Sequence, residues 1–163
     1  MRIISALACS AMAALLAPAP TLAQQLVPPP NDELVAEIAA FARTNITKAR
    51  LSDGSFVPPE TPEQLAQPII PETLVRQTIA RGFLTGEMQA CGMDWEQGSF
   101  RPYMAAIRAS RRYSDKQLAY IGILHGLGQG TGAGATARLV SKCPAVHLKR
   151  LEQVVREAPV VTP

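Results

Sequence analysis

Apolar positions recur along this chain at helical spacing and almost never in strict alternation. That periodicity predicts an all-α protein. Asn31 is placed to cap a first helix reaching about Thr44, with Asp32 and Glu33 at its positive end and Leu34, Ile38, Phe41 and Ala42 as its apolar stripe. Residues 45–70 lose the pattern. Pro58, Pro59, Pro62 and Pro68 forbid a long element there. Ser52-Asp53-Gly54-Ser55 predicts a short hairpin within residues 46–57, and Thr61-Pro62-Glu63-Gln64 predicts one or two helical turns. A second helix is expected from Pro71 to Cys91-Gly92, with Leu74, Val75, Thr78, Ile79, Gly82, Phe83 and Gly86 on one side. Gly92 is its left-handed stop, and residues 93–98 form the following turn. A third helix is predicted from Phe100 to Arg112, burying Phe100, Tyr103, Met104 and Ile107.

The clearest local signal is Tyr113-Ser114-Asp115-Lys116-Gln117-Leu118. Ser114 and Gln117 make a capping box, flanked by Tyr113 and Leu118 at the positions of a hydrophobic staple. The helix it starts carries Leu118, Tyr120, Ile121, Ile123, Leu124 and Leu127 on nearly every side, the mark of a central buried helix. Gly122, Gly126, Gly130 and Gly134 follow four residues apart, with Gly128 and Gly132 between them, and Gly82 and Gly86 share that spacing. Glycines so spaced let two helix backbones approach closely, so the second helix and the Ser114 helix are expected to cross at these glycines. Their number predicts fraying or a bend within Gly128–Gly134 and a resumption over Ala135–Ser141. The last helix, from Pro144 to about Glu157, sets Val146, Leu148, Leu151, Val154 and Val155 opposite Lys149, Arg150, Glu152 and Arg156. The expected architecture is a small single-domain bundle of five or six helices over residues 31–158, with a proline-rich leader at 24–30 and a disordered tail at 159–163.

The first 23 residues read differently: Arg2, an apolar run over Ile3–Leu16, two prolines, then Thr21-Leu22-Ala23. This is the order of a secretory signal peptide cleaved near Ala23. Pro18 and Pro20 stop the run short of the roughly 20 apolar residues a transmembrane anchor needs. Export to the periplasm, or secretion, is therefore expected. Cleavage removes Cys9 and leaves Cys91 and Cys143, an even pair in an oxidising compartment, which predicts one disulfide between the second helix and the last. The remaining charge is nearly balanced but uneven: five basic and ten acidic residues from Gln24 to Phe100, then ten and three from Arg101 onward. The basic half suits an acidic protein or an anionic envelope component. Nucleic acid is a poor partner for an exported chain.

Candidate chemistry is sparse. Gly128-Gln129-Gly130-Thr131-Gly132-Ala133 loosely matches a dinucleotide loop, but a capped helix precedes it where a strand is needed. A zinc site wants about four ligands at organised spacing; two histidines and scattered carboxylates do not supply them, and no cofactor or metal is expected. Asp94 and Glu96 flank Trp95, which is expected to pack toward the disulfide, and with His125 they form the one catalytic alternative, a small envelope enzyme acting on a cell-wall substrate. The leading expectation is a non-enzymatic binding protein whose contact face is Arg101, Arg108, Arg111 and Arg112.

Two resemblances accompany this reading. Gln117-Leu118-Ala119-Tyr120-Ile121-Gly122, then Cys143-Pro144 and Leu148, Leu151, Val154 and Val155, resembles the C-terminal part of the periplasmic immunity proteins that neutralise peptidoglycan amidase toxins, over about a quarter of the chain. Ala119 stands where that pattern has a cysteine, so the disulfide here is wired differently. In layout, helices with one long-range disulfide, the chain is also similar to small periplasmic acid-stress chaperones. Both imply a binding function.

Overall fold

The computed structural model describes residues 26–158, and the signal segment and the 159–163 tail lie outside them. Six α-helices follow one another: α1 (Asp32–Thr44), α2 (Pro62–Leu65), α3 (Glu72–Ala90), α4 (Arg101–Ala109), α5 (Asp115–Leu139) and α6 (Ala145–Glu157). The local code acts where it was expected. Asn31 Oδ1 accepts from the Leu34 N–H at 2.9 Å, and capping boxes form at Thr61/Gln64 and Ser114/Gln117. Gly92 ends α3 with φ +71°, a conformation that glycine adopts without strain.

The frame is α3 against α5. Ile79 abuts Gly128 and Phe83 abuts Gly132, while Gly82 faces His125 and Gly86 faces Gln129. Both numbers rise together, so the two helices run parallel. A Cβ at Gly128 would lie 2.6 Å from the Ile79 carbonyl oxygen, and one at Gly82, Gly86 or Gly132 would collide with the carbonyl of His125, Gln129 or Phe83. Glycine is therefore required on both sides of the contact. The glycines that meet α3 are Gly128 and Gly132; a Cβ on Gly122, Gly126 or Gly130 would meet nothing within 4 Å.

This contact also corrects the expected fraying. Helix α5 runs unbroken through Gly128–Gly134 to Leu139, because its glycine face is covered by α3 and the backbone stays shielded from water. The Thr131 and Thr136 hydroxyls bond back to the Leu127 and Gly132 carbonyls.

Around this pair the core gathers Val35, Ile38 and Ala42 of α1, Leu74, Val75 and Ile79 of α3, Tyr103, Met104 and Ile107 of α4, and Tyr120, Ile121 and Leu124 of α5. Helix α1 turns Val35 inward and leaves Phe41 57 % exposed, since small Ala42 is the residue seated in the core. The expected hairpin shrinks to one antiparallel bridge, Arg50 with Phe56, and no strand forms among the described residues. The third helix is shorter than expected. A π-helical turn occupies Glu96–Phe100, and the helix ends at Ala109 because Arg111 takes φ +53°. Helix α6 buries His147 and leaves Val146 60 % exposed, because the Cys143 anchor sets its rotation toward Glu87.

Cys91 and Cys143 form the expected disulfide, with Cα atoms 5.5 Å apart across 52 residues. Replacing both by Ser is expected to lower the urea-unfolding free energy by about 4 kcal/mol. Gly132→Ala is expected to lower it by about 2 to 3 kcal/mol through overpacking, whereas Gly126→Ala is expected to raise it by roughly 0.5 to 1 kcal/mol. Equal effects at the two glycines would contradict the assigned face.

Candidate functional site

Three groups of polar residues stand out: a buried knot beside the α3–α5 contact, a buried seam under α6, and the arginines around α4.

The knot follows from polar residues set into the glycine-lined face. Ser99 and Thr85 are fully buried, as is His125, and Arg81 is only 6 % exposed. Arg81 donates from Nε to Ser99 Oγ at 3.0 Å and from a terminal nitrogen to the Val155 carbonyl at 2.9 Å. Thr85 donates its hydroxyl to the Arg81 carbonyl at 2.9 Å. Having one hydrogen to give, Thr85 must then accept from Ser99 Oγ at 2.7 Å and from His125 Nε2 at 3.2 Å. The pattern closes with the His125 proton on Nε2. Phe100 and Tyr103 cover the imidazole, with ring centroids 4.9 and 5.8 Å away. Burial, reinforced by the Arg81 charge, lowers the His125 pKa to about 4, so the ring is neutral at pH 7.

His125 is thus a structural hydrogen-bond donor, sealed from solutes. Its proposed catalytic companions are occupied elsewhere: Asp94 Oδ1 accepts the Gln97 N–H at 3.1 Å, and Glu96 Oε1 accepts from the Arg101 guanidinium at 2.8 and 3.0 Å. No hydrogen bond of Asp94 or Glu96 reaches the imidazole. Trp95 packs against the small core of Met88, Leu151 and Val155, which Cys91 of the disulfide also packs against, in the region where it was expected.

Under α6, Glu87 Oε2 lies 3.2 Å from His147 Nε2 with both side chains buried. Burial raises the Glu87 carboxyl to about pH 7, a shift that the nearby Arg150 charge opposes. Sequence periodicity did not single out Arg81, Ser99, Glu87 or His147. One signal was available: Arg81 and Glu87 each stand next to a glycine of the tightly packed stripe, where a charged side chain has little access to water.

The four arginines are all exposed. Arg101 is engaged by Glu96, while Arg108, Arg111 and Arg112 have no carboxylate within 4 Å among the described residues. The left-handed turn at Arg111, tied by the Arg112 N–H to Ser110 Oγ at 3.4 Å, holds the last two outside the helix. The hairpin adds Arg50, which sequence reasoning did not nominate. Its guanidinium carbon stands 4.4 Å over the Phe56 ring, and it donates to the Gly54 carbonyl at 2.7 Å. No helix of the described residues is long and apolar enough to cross a membrane. No family model, curated protein or solved structure matches the chain.

Glu87 and His125 titrate in opposite senses. The raised Glu87 pKa stabilises the fold below about pH 4.5, and that contribution is lost as pH rises through about 7. The lowered His125 pKa stabilises it above about pH 6.5, and that contribution is lost as pH falls through about 4. Between about pH 4.5 and 6.5 the two slopes oppose each other. From pH 6.5 to 4.5 Glu87→Gln, in which only the His125 slope of the two remains, is expected to lose more stability than the native protein, by up to about 3 kcal/mol. Urea titrations at four pH values would check this, and parallel profiles for the two proteins would contradict it.

Proposed function

We propose that this chain is an exported, non-enzymatic binding protein of the periplasm or the extracellular space, whose contact face is Arg101, Arg108, Arg111 and Arg112. One observation carries the reading: Arg108, Arg111 and Arg112 stand exposed with no carboxylate partner among the described residues, whereas His125 is sealed and Asp94 and Glu96 are engaged locally. Such guanidinium groups at a helix end and turn suit carboxylate or phosphate recognition, because their planar fork binds such groups bidentately. The signal segment supports export, and the disulfide accords with an oxidising compartment. The resemblance of residues 117–122 and 143–155 to periplasmic immunity proteins, and the likeness in layout to acid-stress chaperones, point the same way.

Affinity capture from envelope extract, with the native protein and a variant carrying Ala at all four arginines, tests the face. The native protein is expected to recover a partner at least about tenfold more efficiently than the variant, because the lost contacts are charge-assisted. Equal recovery would remove the arginines from the contact surface. N-terminal sequencing of the exported protein is expected to begin at Gln24.

A further inference from the structure

Resting on the contact face just described, the geometry points to a groove beside it that takes one apolar side chain of an acidic protein segment. The groove, of about 330 Å³, lies between the hairpin, α4 and the first half of α5. Phe100, Met104, Leu118 and Gly122 supply its apolar walls, and Arg50 and Arg108 stand on its rim. This volume is at the small end of ligand cavities and suits a single large side chain better than a folded ligand.

Its electrostatics select the occupant. Asp115 is the carboxylate in the groove lining, and it is already engaged by the Ser52 hydroxyl at the positive N-terminal end of α5. The Ser52 hydroxyl occupies one Asp115 oxygen without removing its charge, so two guanidinium groups against one carboxylate leave the mouth with a net positive charge. Arg50 is held in place by the Phe56 ring and the Gly54 carbonyl before any ligand arrives, so less side-chain freedom is lost on binding. Arg108 is exposed on α4 and has no carboxylate within 4 Å among the described residues. A segment with acidic residues on both sides of an apolar one pairs its carboxylates with the rim and buries its anchor against Phe100 and Met104.

Gly122 gives this proposal a sharp test. A Cβ there would meet nothing within 4 Å, and the residue lies inside α5, where replacing glycine favours the helix. Gly122→Leu therefore fills the groove with the fold kept or strengthened, which a melting curve verifies.

The probes are immobilised heptapeptides with central Leu, Phe or Ala flanked by Asp and Glu, lysine-flanked controls, and phosphatidylglycerol vesicles. The native protein is expected to retain acidic peptides with an apolar centre over the Ala-centred ones, and Gly122→Leu and Arg108→Glu are each expected to lower that binding by about tenfold or more. Indifference to the central residue would overturn the groove, as would undiminished binding by a well-folded Gly122→Leu protein. Binding to the vesicles alone would also overturn it, replacing the protein segment with a lipid surface. If peptide binding is lost in the four-arginine variant but kept in Gly122→Leu, the groove fails and the contact face stands; if both variants bind as the native protein does, both fail.

Discussion

Everything in this molecule is arranged around a backbone-to-backbone contact between two parallel helices. Gly82 and Gly86 on α3 face His125 and Gln129 on α5, and Gly128 and Gly132 on α5 face Ile79 and Phe83 on α3, so closely that a methyl group at any of the four has no room. Each interior glycine costs roughly 0.5 to 1 kcal/mol of helix stability relative to Ala, and close packing of two long helices offsets that cost. Parallel neighbours cannot be joined by a tight turn. Residues 91–114 must therefore return the chain along the pair, and that return carries the π-helical turn, α4 and the arginine face.

The same contact explains why so much polarity is buried in so small a protein. Helices this close leave narrow side channels that suit hydroxyls and an imidazole, and Thr85, Ser99, His125 and Arg81 fill one of them with hydrogen bonds that satisfy most of their donors. A partly satisfied network in low dielectric is costly, so this one acts as a register lock: sliding α3 along α5 by a turn would separate Thr85 from His125. Helix α6 is held to the same frame by the disulfide, by the Glu87–His147 contact and by Arg81 reaching the Val155 carbonyl. The redox state and the protonation of buried groups thus bear on a single seam, while the arginine face is built on other elements.

Local features were legible in the sequence wherever a short-range rule decides the outcome. The capping boxes at Thr61 and Ser114, the cap at Asn31, the stop at Gly92 and the pairing of Cys91 with Cys143 all stand where their residues predicted. Facial assignments fared less well. Phe41 and Val146 fit a helical stripe as well as Val35 and His147 do, and only the neighbouring helix settles which turns inward. Of the candidate site, the exposure of the four arginines was legible, whereas Arg50 enters through a turn whose position relative to α4 no local pattern encodes.

By itself, then, the sequence determined the helices, their caps, the staple and the uneven charge, because those depend on residues within a turn or two of one another, or on the count of available cysteines. The tertiary structure decided which glycines face the partner helix, that α5 continues through them, and that His125 is sealed while Arg108 and Arg50 meet across a groove. Those outcomes depend on which surfaces are withdrawn from water when α3 and α5 come together, and that is a property of the assembled pair that neither helix encodes alone.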